Sequence, residues 1–94
     1  MKKTAAEKRH HDRLAQMGCL LCEQLSMPQS GRTEVHHIRE GQGMSQRAGH
    51  YLAVPLCADC HRGPAGIHGD RTLLRIANTD ELKLLNETIR RLSA

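Results

Sequence analysis

Leu82, Leu85, Ile89 and Leu92 recur at steps of three and four near the C-terminal end. They form one stripe of a 3.6-residue period and predict an amphipathic helix over DELKLLNETIRRLSA, with Arg90 and Arg91 suited to the negative end of its dipole. Asn78, three residues before Glu81, supplies a box-like N-cap, and DRTLLRIA (70–77) reads as a shorter helical segment before it. At the other end TAAEKRHHDRLAQM (4–17) predicts a helix, opened by a capping box of Thr4 and Glu7 and stopped by Gly18. Its apolar positions are few, so it is expected on the surface. His10 and His11 there are expected to be solvated, with phosphate contact as the second role. Between the helices, EVHHI (34–38) and HYLAVPL (50–56) read as short strands, the second ended by Pro55. SMPQSGRT (26–33) and GQGMSQRAG (41–49) are loops by composition. A helix starting at Ala58 or Asp59 is cut after about a turn by Gly63-Pro64. There is no repeat and no long linker, which predicts one small α+β domain over residues 1–94.

Composition adds a difficulty. Of 94 residues 38% are hydrophobic, but the aromatics amount to one Tyr. Without Phe or Trp the core is thin, and a chain this short then needs a staple. Four cysteines supply it. The N-terminus has basic residues but no apolar signal core, and no apolar run reaches membrane-spanning length. A cytoplasmic location is therefore expected, where disulfides are rare. Cys19, Cys22, Cys57 and Cys60 form CxxC…CxxC with 34 residues between the pairs, which predicts a closed, structural Zn²⁺ site. The formal net charge is +4, and four ionised sulfurs with one Zn²⁺ bring it to about +2. Charge alone argues only weakly for a polyanionic partner.

With the cysteines committed, the histidines are left for other chemistry. Five of the seven fall between residues 36 and 68. His36 and His37 are adjacent on a strand and point to opposite faces. His61 follows the second cysteine pair, so the structural ion fixes its direction. A metal held by His36 and His61 keeps open positions for water and phosphate, and His37 can take a proton from the attacking water near neutral pH.

At these residues the sequence resembles a known family. CLLC…VHHI…PLCADCH is similar to the HNH endonucleases, whose active site is the ββα-metal fold. The resemblance implies that His36 and His61 hold a catalytic divalent ion, Mg²⁺ first, with Mn²⁺, Ni²⁺ or Zn²⁺ as alternatives, and that His37 is the general base. It implies a zinc-stapled ββα-metal core over 19–69, an N-terminal helix over 1–18 and C-terminal helices over 70–94. The longer stretch HHIREGQGMSQRAGHYLAVPLC followed by CHRGPAGIHGDR is similar to the phage recombination-enhancement (Ref-like) nucleases, an HNH branch that depends on RecA filaments. DNA and RecA filaments are the implied partners, and DNA ends with 5′-phosphate and 3′-hydroxyl the implied products. In two places the pattern departs: Leu52 stands where HNH proteins carry Asn, and His50, two residues earlier on the same strand face, is expected to substitute; and Gly63-Pro64 cuts the helix bearing His61, so that no ligand can follow four residues on, where Ala65 stands. His68 is expected to swing back as a third metal ligand, the alternative being a loop histidine on a phosphate. Arg39, Arg47 and Arg62 flank the motif and are expected to hold DNA phosphates. A non-catalytic zinc-binding nucleic-acid module accounts for the cysteines and charge but gives His36, His37 and His61 no task. A metal-dependent ribonuclease is not separated from a DNA enzyme. The leucine stripe is expected to pack on the chain's own core, giving a monomer, or otherwise a weak dimer.

Overall fold

A computed structural model describes residues 2–40 and 49–93. Arg47 and nearly all of the loop expected over 41–49 lie outside the described residues. The chain runs α1 (Ala5–Ala15), α2 (Leu20–Gln24), β1 (Thr33–His37), β2 (Ala53–Cys57), α3 (Ala58–Arg62), α4 (Thr72–Ala77) and α5 (Glu81–Leu92). This is the expected α+β architecture: among the described residues a two-stranded antiparallel sheet leads directly into a short helix, with two helices before the sheet and two after that helix.

Local rules account for most boundaries. Thr4 and Glu7 form the capping box at the start of α1, through bonds of 2.8 and 3.1 Å. One turn of α3 ends at Gly63, as Gly63-Pro64 requires. In the sheet Thr33 faces Cys57 and His37 faces Ala53. The Ile38 N–H donates to the Leu52 carbonyl, so hydrogen-bonded pairs alternate from there through His36/Val54 and Glu34/Leu56. Pro55 falls opposite Val35 at a non-hydrogen-bonded position, where a missing N–H costs the ladder nothing. The strand therefore passes through Pro55 to Cys57 instead of ending there. It also starts later than the sequence suggested, at Ala53, leaving His50 and Leu52 in the turn before it and not on a strand face.

The core consists of Leu20, Leu21, Ile38, Val54, Leu56, Ile67, Leu74 and Leu84 around the four cysteines. Three expectations about the helices fail here. His11 is buried, not solvated, because it shares the inner face of α1 with Leu14. In α5 the buried residues are Glu81, Leu84 and Thr88, while Leu82 and Ile89 are 51% and 52% exposed. The inner face is rotated from the apolar stripe because a carboxylate at position 81 is drawn inward. Asn78 does not open α5: it closes α4 in the left-handed conformation, and the Asp80 side chain accepts from the Lys83 N–H as the true N-cap.

Candidate functional site

The cysteines meet where α2 and the β2–α3 junction pack together. All four are buried, and Cys22 Sγ lies 3.5 Å from Cys57 Sγ and 3.6 Å from Cys60 Sγ. A disulfide needs about 2.0 Å. Sulfurs around one tetrahedral zinc sit about 3.8 Å apart for bonds of about 2.3 Å. The separations match the second arrangement. The Cys22 N–H points at Cys19 Sγ, 3.4 Å away, and helps to carry negative charge on that sulfur. Burial pushes the Cys22 and Cys60 thiols up, and the Cys19 and Cys57 sulfurs add to the effect at both. At Cys57 burial acts the same way but is outweighed by N–H groups of Cys60 and Ser30 together with the Cys22 and Cys60 sulfurs, which bring the thiol down to about 7. Four crowded sulfurs cannot all ionise together without a cation, and a divalent ion removes that conflict.

Beside this group the structure gathers His36, His61 and His68, each offering a nitrogen within 4.8 Å of the others. β1 carries His36 inward to near-complete burial, α3 presents His61 one residue after Cys60, and the 63–69 loop returns His68. That loop lies against α3: the Ile67 N–H donates to the Cys60 carbonyl and the His68 N–H to the His61 carbonyl. Gly66 permits the approach, since a Cβ there would stand 2.5 Å from the Asp59 carbonyl oxygen.

Two carboxylates orient two of these rings. His36 Nε2 lies 2.7 Å from Glu81 Oε2, and His61 Nδ1 lies 2.9 Å from Glu34 Oε1. Carboxylates only accept, so each of these nitrogens carries the hydrogen, and in the neutral ring the opposite nitrogen keeps its lone pair. On His36 that opposite atom, Nδ1, is buried and has no hydrogen-bond partner among the described residues. Burial opposes ionisation of Glu81, but the His36 ring, the Arg39 N–H and Arg71 together hold its carboxyl below the usual range. The Arg62 guanidinium, gripping Glu34 at 2.9 and 2.7 Å, holds that carboxyl down to about 2, with His61 assisting. Burial lowers the His68 pKa, and the neighbouring His36, His61 and Arg39 lower it further, which favours the neutral ring.

His37 points to the other side of β1, as strand alternation requires. There it meets His50, with Nε2 3.1 Å from His50 Nδ1, and His11 from α1, whose ring centroid is 5.1 Å away. Arg39 follows the sheet and is exposed.

The profile of a family described as "Recombination enhancement, RecA-dependent nuclease" matches residues 3–82. The chain belongs to this family. The match to the RecA-dependent nucleases takes in all four cysteines and every histidine, and it reaches past Glu81. No curated protein and no solved structure matches the chain. Among the described residues no helix is long and apolar enough to cross a membrane.

Two residues at the site, Glu34 and Glu81, were not singled out from the sequence, and a third, His11, was expected in solvent. Glu34 is two positions before His36 and shares its strand face, a signal that alternation carries. His11 stands three residues before Leu14, a helical step that places it inward. Glu81 reads as an ordinary acidic residue in a helix first turn, and nothing local links it to His36, 45 positions away.

Proposed function

We propose that this member of the RecA-dependent nuclease family is a metal-dependent HNH endonuclease of one domain, residues 1–94, hydrolysing DNA phosphodiester bonds in concert with RecA filaments in phage or prophage recombination. The supporting observation is the buried, unpartnered Nδ1 of His36, on a ring whose other nitrogen is pinned by Glu81. Carboxylate–histidine pairs of this kind orient metal ligands and raise their basicity. His36, His61 and His68 would hold the divalent ion, Mg²⁺ in first place with Mn²⁺, Ni²⁺ or Zn²⁺ as alternatives. The cysteines would hold structural Zn²⁺. When bound, the catalytic ion supplies Lewis-acid stabilisation of charge on the phosphate and its leaving oxygen.

The remaining chemistry is the protein's own. His37 takes the proton of the attacking water, and His50 holds the His37 ring in the place of the HNH asparagine. Arg39 and Arg47 contact phosphates beside the site. Arg62 uses two of its five N–H donors on Glu34 and offers the others to the DNA. A protein acting beside RecA belongs in the cytoplasm.

The test is cleavage of DNA with and without RecA filaments across Mg²⁺, Mn²⁺, Ni²⁺ and Zn²⁺. Excess ion should partly restore cutting by His36→Ala, which loses a ligand, and should not restore His37→Ala, which loses the base. Equal rescue of both would mean that the two roles are misassigned. Binding without cutting under every condition would favour the non-catalytic nucleic-acid module.

A further inference from the structure

By spacing alone, His11, His37 and His50 resemble the first histidine group: their nitrogens also fall within 4.8 Å of one another. The hydrogen bonds of His11 separate the two. Lys3 Nζ lies 3.3 Å from His11 Nδ1, and an ammonium can only donate. The His50 carbonyl oxygen lies 2.5 Å from His11 Nε2, and a carbonyl can only accept. One neighbour requires a lone pair on Nδ1 and the other a hydrogen on Nε2, so both select the same neutral tautomer. Both nitrogens are then used, and neither offers a lone pair to an ion at the centre of the group.

The position of the tether gives His11 its task. His50 lies in the turn before β2, without ladder bonds of its own among the described residues. Its carbonyl is held by His11, and its ring meets His37 Nε2 at 3.1 Å. If His37 is to receive a proton on Nδ1, its Nε2 must carry hydrogen and donate to His50 Nδ1. The His50 ring therefore sets the orientation of the base, and the α1 side chain sets the position of His50. We propose that His11 is a positioning residue, which from the N-terminal helix fixes His50 and through it aims the His37 imidazole. This rests on the nuclease reading, in which His37 takes the proton.

The experiment compares His11→Leu, which removes donor and acceptor, with His11→Gln, whose side-chain amide retains both, in the full chain loaded with zinc. Cleavage with RecA filaments should lose about 100-fold in kcat for His11→Leu, the scale of a misplaced catalytic group. KM for DNA and Mn²⁺ affinity should stay within about twofold, since neither phosphate nor ion contacts are touched, and His11→Gln should recover most of kcat. Unchanged kcat in His11→Leu beside an active wild type overturns the proposal and leaves the nuclease reading standing. Parallel losses in kcat, KM and Mn²⁺ affinity, or no recovery in His11→Gln, also overturn it, because they mark a general structural role. Long-range proton–nitrogen spectra of the wild type supply a readout independent of cleavage and of variant folding. His11 should appear as the Nε2–H tautomer, and His11→Leu should shift the His37 and His50 ring signals. His11 protonated on Nδ1, or bound to added Mn²⁺ or Zn²⁺, overturns the proposal even if no DNA is cut.

Discussion

Replacing Glu81 should weaken the candidate ion site without touching any of its three histidines. Glu81 Oε2 accepts from two donors, His36 Nε2 at 2.7 Å and the Arg39 N–H at 2.8 Å, and the residue is 2% exposed. In Glu81→Gln a single amide oxygen has lone pairs enough for both, so the bonds survive and only the charge is lost. In Glu81→Ala both donors lose their acceptor and the His36 tautomer is no longer fixed. Loss of a partner behind a metal-bound histidine costs 10- to 100-fold in ion affinity. Gln should fall near the lower figure, about 1.4 kcal/mol, and Ala near the upper, about 2.7 kcal/mol. Ala should also lower the folding free energy by about 1–3 kcal/mol for the buried His36 donor and by less for the half-buried Arg39 amide. A domain of this size holds on the order of 5–15 kcal/mol, so the variant should still fold. Calorimetric titration of Mn²⁺ into zinc-loaded protein reads the affinity, and denaturant unfolding reads the stability. Wild-type Mn²⁺ affinity in Glu81→Ala would refute the reasoning, because His36 Nδ1 would then not be a ligand atom.

Cys57→Ser should abolish cooperative unfolding, since a structural zinc contributes on the order of 10 kcal/mol, comparable with the whole stability of a small domain; ordinary melting with one zinc fewer per chain would contradict this. Gly66→Ala should cost about 1–3 kcal/mol in denaturant unfolding, because the new Cβ meets the Asp59 carbonyl oxygen, 2.5 Å away, and pushes the His68 loop off α3. Arg90 and Arg91 hold the Glu87 carboxyl at about 2, against 4.5 ordinarily. A carboxyl with a depressed folded pKa stabilises above its unfolded value and loses that contribution as the pH falls toward its folded one. Glu87→Gln should therefore flatten the decline in melting temperature below about pH 4.5, by a small, salt-sensitive amount because the group is at the surface; identical slopes in both proteins would contradict it.

Residues whose chemistry depends on near neighbours in the sequence were legible. The CxxC pairs, the capping box at Thr4, the Gly63-Pro64 stop and the division of His36 and His37 between two strand faces all follow from local spacing. Pro55 was misread because a missing N–H matters only at hydrogen-bonded positions, and register is known only once the partner strand is placed. The α5 face was misread for a related reason. Leu82 and Ile89 carry the apolar period, but the bond between Glu81 and His36 turns the helix to a different face, and that bond spans 45 positions. His11 was assigned to solvent because α1 has few apolar residues. The three-residue step to Leu14 marks its face of the helix, but the contact with the turn at His50 spans 39 positions and no helical period encodes it.

Cys60 and His61 are joined by one peptide bond yet belong to different groups, the first to the sulfur cluster and the second to the imidazole cluster. The loop bearing His68 is bonded to the same two residues, through the Cys60 and His61 carbonyls. If both groups bind ions as proposed, loading should be sequential: an ion that gathers the thiols would fix the direction of α3, and with it the place where His61 and His68 meet His36. A chain refolded with Mn²⁺ alone should remain incompetent for Mn²⁺ until zinc is added, whereas zinc-loaded protein should take up Mn²⁺ without delay. If the two groups bind ions as proposed, the supply of one metal would gate the use of another, and a cell short of zinc would hold this protein silent however much magnesium it contained.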